Sequence, residues 1–286
     1  MRTGPSRGLP SRGHHGASKP ADADAPAETH GTHHETLMAG DPPAAGIPSA
    51  AAPTVADCPQ CGKPPALCIC DSVTPLGNRV ALLVLQHPQE QDRLLGTARL
   101  AVAHLSNAML KVGLSWPSLS KILGRPADPQ RWAVLYLGSA RGDALAPGAP
   151  VVLLNKAGEA ETDQRQALRE IEGVILLDGT WSQAKALWWR NPWLLKCRRV
   201  VLAPPRPSRY GKLRREPRRD GLATIEAAAM LLAHLEGRPE LEAALSESFE
   251  RMLARYRATV AADPGLAPPP ASAPRRDWRR GKRRRA

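Results

Sequence analysis

No run of apolar residues in this sequence approaches the about 20 that a helix needs to cross a bilayer, which excludes a helical membrane span. The first residues lack the apolar core of a secretory signal, so the protein is expected in the cytoplasm. Internal repeats are absent, which excludes a solenoid or an array. Aromatic residues make up only 4% of the chain, with a single phenylalanine. Cysteine is scarce too, yet four of the five crowd into the thirteen residues from Cys58 to Cys70.

What is present is unevenly placed. At 286 residues and 42% hydrophobic composition the chain can bury a substantial core. Both ends look unsuited to it. Residues 1–56 are rich in Ala, Pro, Gly and His without periodic apolar positions, and residues 262–286 alternate Pro and Ala with arginine. Both are expected to be disordered tails. They flank a small unit at 57–72 and a domain at 73–261. Five of the eight histidines (His14, His15, His30, His33 and His34) lie in the first tail and read as solvated low-complexity sequence.

The net charge of +13 is concentrated in two segments, 275–285 and 198–220, each carrying +7, which leaves the rest of the chain slightly negative. Such clustering suits a polyphosphate partner, because binding releases condensed counterions. In the inner segment Arg206, Arg209, Lys212, Arg214, Arg215, Arg218 and Arg219 surround Tyr210, mixing phosphate-pairing cations with a ring able to stack on a base. Basic charge alone does not choose RNA over DNA.

The sequence Cys58-Pro-Gln-Cys61-Gly-Lys-Pro-Pro-Ala-Leu-Cys68-Ile-Cys70 has the spacing of a tetrathiolate zinc site, with Gly62 easing the turn after the second ligand. With all four positions filled by protein, such a site is structural. Two disulfides are the alternative reading, which a cytosolic compartment disfavours. A redox Cys-x-x-Cys would not need the second pair.

Strands are expected at Val80–Leu85, Ala133–Leu137, Val151–Leu154 and Val174–Leu177, and helices at Arg93–Leu105, Asp163–Glu170, Ser182–Trp189, Thr224–Leu235 and Leu241–Tyr256. Their alternation argues for an α/β fold, a mostly parallel sheet with helices on both faces. The strand 174–177 runs into Asp178-Gly179-Thr180-Trp181, which puts Asp178 at a strand's carboxyl end, where open α/β sheets collect ligands. The plainer reading makes Asp178 the N-cap of the next helix. Trp181, Trp188, Trp189 and Trp193 fall within thirteen residues. Trp181 pairs with Trp188 on one helix face and Trp189 with Trp193 on another, so most should pack in a core or interface.

Asp178-Gly179-Thr180-Trp181 resembles the Asp-x-Thr-Trp signature of the DTW-domain proteins, tRNA-uridine aminocarboxypropyltransferases related to the SPOUT class of S-adenosylmethionine-dependent enzymes. That family carries a similar cysteine knuckle ahead of its catalytic domain. Leu85-Gln86-His87-Pro88-Gln89-Glu90, leading through Thr97 and Ala98 into a helix, also looks like the family. So does Leu222-Ala223-Thr224-Ile225-Glu226-Ala227, with Ala223 where a serine is usual. Leu135-Tyr136-Leu137-Gly138 departs from the family's Tyr-Pro. The resemblance implies a SPOUT-like fold, a class that includes knotted chains. It also implies S-adenosylmethionine contacts at Leu137, Asp178, Thr180, Trp181, Thr224 and Glu226, with Asp178 as the catalytic residue and Cys58, Cys61, Cys68 and Cys70 on zinc. His87, Arg206, Arg209, Tyr210, Lys212, Arg214 and Arg215 would face tRNA. The residues themselves favour a hydrogen-bonded structural histidine at His87, and read Thr224 and Glu226 equally as helix-start residues. Glu90 is expected to pair with Arg93 at the surface.

The implied reaction moves the 3-amino-3-carboxypropyl group of S-adenosylmethionine to the imide nitrogen of a tRNA uridine, in the variable loop or the D-loop, and releases methylthioadenosine. The sulfonium is already activated, so the protein must select the attacked carbon and hold it in line. A carboxylate could take the imide proton, and Asp178 is the candidate. A SPOUT-like RNA methyltransferase and a noncatalytic zinc-dependent RNA-binding module are the alternatives. The ribosomal-RNA aminocarboxypropyltransferases, with a similar Asp-x-Ser-Trp, match less well. A haloacid-dehalogenase phosphatase would need an Asp where Leu176 stands. No obligate protein partner is implied, and Cys197 reads as a small buried residue.

Overall fold

Strand β1, Ala81–Gln86, is buried at every position, as a strand covered on both faces must be. Its alternate residues feed two separate cores. Val80, Leu82 and Val84 join one cluster with residues of the helices α1 (Ala98–Ala103), α5 (Thr224–Glu236) and α6 (Pro239–Ala262). Ala81, Leu83 and Leu85 join the other, with α2 (Leu119–Leu123), Trp132, Trp193 and Leu194. Each such fully buried aliphatic side chain contributes about 1.5–3 kcal/mol through the apolar surface it removes from water.

The computed structural model describes residues 56–135, 150–155, 157–211, 213, 221–263 and 265. Nearly all of the two expected tails, with Tyr136, Leu137, Gly138, Lys212, Arg214, Arg215, Arg218 and Arg219, lies outside them. Six strands form one sheet in the order β2-β1-β5-β3-β6-β4. The others are β2 (Ala108–Val112), β3 (Trp132–Leu135), β4 (Val151–Leu154), β5 (Gly173–Asp178) and β6 (Arg198–Leu202). All neighbours pair in parallel except β4, which runs antiparallel to β6 at the edge. Helices α3 (Gln164–Arg169) and α4 (Trp181–Arg190) precede and follow β5. No helix among the described residues is long and apolar enough to cross a membrane.

The expected α/β class and mostly parallel sheet are thus present, with three elements beyond those the pattern indicated. Strand β2 is an edge strand, half-buried throughout and broken in pattern by Lys111, so it lacks the apolar run of a central strand. Strand β6 begins with Arg198 and Arg199, which the sequence presents as part of the basic segment. The structure satisfies Arg198 internally: its guanidinium donates to the Glu170 carboxylate at 2.6 Å and to the Ala167 carbonyl at 3.1 Å. Helix α2 is a single capped turn, with Ser118 accepting from the Lys121 amide and Gly124 closing it.

The first long helix is shorter than expected, Ala98–Ala103 in place of Arg93–Leu105. Its would-be first turn is diverted because three consecutive carbonyls are taken from outside. The Lys63 ammonium bonds the Leu94 and Gly96 carbonyls at 2.5 and 2.9 Å, and the Tyr210 hydroxyl bonds that of Leu95 at 2.5 Å. Helix α6 extends well past the expected Leu241–Tyr256, and its predicted apolar face is buried: Leu241, Leu245, Phe249, Met252, Leu253 and Tyr256. Cys197 is buried as expected, and burial pushes its thiol up to about 12.

Candidate active site

Parallel register brings the ends of β1 and β5 together, with Gln86 opposite Asp178. The chain leaves β1 toward β2 on one side and leaves β5 toward β6 on the other. The crevice at these two carboxyl ends is therefore a point of divergence, where α/β sheets bind ligands. Asp178 is half-buried there, and two side chains fix its carboxylate. Gln86 donates from Nε2 to Oδ2 at 2.8 Å, and the Thr224 hydroxyl donates to Oδ1. Its own carbonyl accepts from the His87 amide at 3.0 Å, which ties the two strand ends.

Asp178 is not the helix cap. That role falls to Thr180, whose Oγ1 accepts from the Gln183 amide at 3.4 Å while Gln183 Oε1 accepts from the Thr180 amide at 2.6 Å, a reciprocal capping box opening α4. Gly179 is required by close approach: a Cβ there would sit 2.9 Å from Gln183 Cβ and 3.4 Å from His87 Cβ. Gln183 also reaches Gln89 at 3.1 Å, closing the β1 and β5 loops over each other.

Thr224 lies in the first turn of α5, and its hydroxyl orients Asp178 rather than capping the helix. The residue that closes the helix start is Glu226. Buried to 5% exposure, its carboxylate accepts from the Ser208 hydroxyl at 2.6 Å, the Ala223 amide at 2.8 Å and the Arg209 amide at 2.9 Å. It thereby clamps the 208–210 segment onto α5, and these three donors already engage both of its oxygens. Replacing Glu226 with Ala should cost about 2–4 kcal/mol, because three donors, one buried and two half-buried, lose their acceptor. A urea midpoint shifted at unchanged slope is the expected reading, and stability within about 0.5 kcal/mol of the parent would rule the clamp out.

The other expected contacts sort themselves by burial. Trp181 is half-buried, with the Lys185 ammonium 5.3 Å from its ring centroid. His87 caps the Pro88–Glu90 turn, accepting the Gln89 amide on Nδ1 at 3.3 Å, which is the structural role open to it. Glu90 pairs with Arg93 at 3.7 Å as expected, yet its side chain is buried rather than at the surface. Tyr210 is in the core: 2% exposed and edge-on to Phe249 with ring centroids 4.9 Å apart. The structure gives it a packing role in place of base stacking, since its ring has no open face. Arg209 is held by Glu250 at 2.8 Å and Glu226 at 3.7 Å, while Arg206 is exposed. Leu137, Lys212, Arg214 and Arg215 fall outside the described residues.

Gln86 was not singled out by the sequence. Its amide is 3% exposed, and Oε1 has no hydrogen-bond partner among the described residues, although Nε2 is fixed on Asp178. A buried orphan acceptor beside a carboxylate is what a ligand N–H would satisfy. The only sequence signal for it was a polar residue ending an otherwise apolar strand.

The four cysteine sulfurs lie within 4.8 Å of one another, all unbridged, so the cluster could hold a metal ion. Cys61 and Cys68 Sγ are 3.7 Å apart. Gly62 takes φ of 64°, a left-handed turn that lets its amide bond the Cys58 carbonyl at 2.7 Å. Amide donation, first from Cys61, lowers the Cys58 thiol to about 7, whereas burial pushes Cys61 and Cys70 up. Burial also draws the Lys63 ammonium down to about 8, against the pull of the neighbouring thiolates.

The DTW domain profile matches residues 55–257, which takes in both the cysteine cluster and the Asp178 site. The chain belongs to the DTW-domain family. Three relatives bear the name tRNA-uridine aminocarboxypropyltransferase 2. The protein of Drosophila melanogaster is 32% identical over 197 residues, 66% of this chain and 70% of its own length. That of Macaca fascicularis is 29% identical over 182 residues, 63% and 56%, and that of Mus musculus 29% over 196 residues, 67% and 60%. The match therefore spans less than two thirds of the two mammalian proteins. No solved structure matches the chain. Within the family frame, the divergence point between β1 and β5 is where the signature Asp178–Trp181 sits.

Proposed function

We propose that this chain transfers the 3-amino-3-carboxypropyl group of S-adenosylmethionine to the imide nitrogen of a tRNA uridine. The observation that carries this reading is the signature carboxylate Asp178, anchored by Gln86 and Thr224 at the carboxyl end of the sheet, in a chain 32% identical to a protein named for that activity. S-adenosylmethionine, when bound, supplies an activated carbon on its sulfonium. The residues fit such a donor at one observed point, the orphaned Gln86 acceptor, which calls for an N–H from the bound reactants.

Thr180 and Trp181 at the start of α4, with Asp178 and Thr224, are the residues proposed to hold the donor. The N-termini of α4 and α5 meet at this crevice and offer partial positive charge to its carboxylate. Transfer forms a bond from the uracil nitrogen to the propyl carbon and breaks that carbon's bond to sulfur, releasing methylthioadenosine. The imide proton passes to Asp178. Each carboxylate oxygen keeps lone-pair capacity beyond the bond it accepts, so an anchored Asp178 can still take it. Glu226 supports the pocket by holding the 208–210 segment.

Zinc is the metal proposed for the knuckle. A tetrahedron with Zn–S of about 2.3 Å has edges of about 3.8 Å, and the Cys61–Cys68 separation is 3.7 Å. Four protein ligands leave no open position, so its role is structural. The division into a knuckle at 57–72 and a catalytic domain at 73–261, and a cytoplasmic location where such thiols stay reduced, belong to the same proposal.

Mass spectrometry of tRNA nucleosides after incubation with the zinc-loaded protein and S-adenosylmethionine tests it. A uridine heavier by one aminocarboxypropyl group, with methylthioadenosine released, is the expected result. A methylated nucleoside would make the protein a SPOUT-like methyltransferase. Intact folded protein that leaves acceptor tRNA unchanged would make it an RNA-binding module.

A further inference from the structure

Helix α4 starts at the signature, and beyond Trp181 it carries exposed residues that the transfer chemistry does not use. Trp189, two turns beyond Trp181, is 76% exposed, the most exposed large apolar side chain among the described residues. The sequence spacing paired it with Trp193 as packing, but α4 ends at Arg190, and Pro192 places Trp193 in the following turn, where it is buried. The helix end that bears Trp189 is pinned by hydrogen bonds. Asn191, fully buried, donates to the Leu114 and Leu187 carbonyls at 3.0 and 2.7 Å and accepts from the Trp116 amide at 2.8 Å.

Residues four apart lie one above the other on a helix, so Trp181, Lys185 and Trp189 form one ridge. Lys185 and Arg190 are exposed, and α4 contains no acidic residue. Lys185 stands on the ridge one turn before the Trp189 indole, and Arg190 follows on the neighbouring face at the helix end, so a cation lies on either side of the indole as the ridge leads away from Asp178. At about 1.5 Å of rise per residue it runs about 12 Å from Trp181 to Trp189, the length of three or four stacked nucleotides at about 3.4 Å each.

We propose that this face of α4 is a docking track for the single-stranded tRNA segment next to the target uridine, with an unpaired base stacked on the Trp189 indole and backbone phosphates on Lys185 and Arg190. The proposal rests on the tRNA reading above. Indole faces accept any base, and flanking cations pair with phosphate, which is how single-stranded nucleic acid is held without sequence readout. A second copy of this chain is the other occupant an exposed indole suggests. A two-fold contact centred on Trp189 would bring the Lys185 and Arg190 charges of two copies close together, a repulsion that a polyanion does not meet.

The test compares the full-length zinc-loaded protein with Trp189→Ala and Trp189→Phe. The readouts are tRNA Kd by anisotropy of labelled tRNA at fixed salt, S-adenosylmethionine Kd by calorimetry, and oligomeric mass by light scattering. Alanine is the best helix former, so the variant should keep α4. Trp189→Ala should raise the tRNA Kd about five- to a hundredfold, and Trp189→Phe should stay within about threefold of the parent. S-adenosylmethionine affinity should be unchanged in both. Lys185→Ala with Arg190→Ala should flatten the slope of log Kd against log salt by about two. A tRNA Kd unaffected by Trp189→Ala overturns the track, and so does a parent dimer that Trp189→Ala turns into a monomer. If the parent modifies tRNA and Trp189→Ala binds it equally well, only the track fails. A parent that neither binds nor modifies tRNA removes the transferase reading as well.

Discussion

Asp178→Asn should lower aminocarboxypropyl transfer by about 10²- to 10⁴-fold, the range that a positioned proton acceptor contributes, while tRNA affinity stays within about twofold of the parent. The substitution separates chemistry from architecture because the surroundings can absorb an amide. Thr224 can still donate to the asparagine oxygen. Gln86 presents Nε2 to Asp178, but its other terminal atom, Oε1, is buried with no partner among the described residues, so a flip of the Gln86 amide would place an acceptor opposite the new NH2. The anchoring of residue 178 is thereby kept, while the capacity to take the imide proton is lost and, with the flip, the Gln86 acceptor for a reactant N–H as well. The measurement is the single-turnover rate of methylthioadenosine release at saturating tRNA. A rate within about threefold of the parent would sink Asp178 as the base and leave it an anchor for Gln86 and Thr224.

Much of this site was legible because its residues announce themselves locally. An apolar run ending in Asp-Gly-Thr-Trp can hardly be placed anywhere but at the end of a buried strand, and β5 ends on Asp178. Four cysteines in thirteen residues need no tertiary information to be read as a cluster, and their sulfurs do converge. The parts that were not legible depend on partners far away in sequence. Thr224 and Glu226 look alike as helix-start residues, yet one orients Asp178, 46 residues earlier, and the other clamps Ser208, 18 residues earlier. Tyr210 sits in a run of arginines, and nothing local reveals that Phe249 and the Leu95 carbonyl draw it inside. Trp189 was misplaced for the converse reason. Spacing of four describes a helix face only while the helix lasts, and Pro192 intervenes before Trp193.

Cys61→Ser should abolish binding of the zinc proposed for the knuckle and, with it, reduce transfer by about tenfold or more, although the knuckle is remote from Asp178 in sequence. Removing one of four thiolates from a closed zinc site forfeits most of a binding energy that, for such sites, is also folding energy, about 10–16 kcal/mol in isolated fingers. The loss reaches the site through consecutive hydrogen bonds. Lys63, two residues after Cys61, holds the Leu94 and Gly96 carbonyls, and the Leu95 carbonyl between them holds Tyr210. Thr97, next in the chain, accepts the Ile225 amide at 3.3 Å, and Ile225 adjoins Thr224, the donor to Asp178. If the knuckle loosens, the 94–97 segment loses its two ammonium bonds and the start of α5 loses its fixed support. A displacement of about 1 Å at a reacting centre is worth about a hundredfold in rate. Lys63→Met separates the two links: it should keep about one zinc per chain while still lowering the rate, because the ligands remain and only the clamp is gone. Metal content by plasma mass spectrometry and the single-turnover rate decide the matter. Full transfer by metal-free Cys61→Ser would show that the knuckle is an appendage with no hold on the active site.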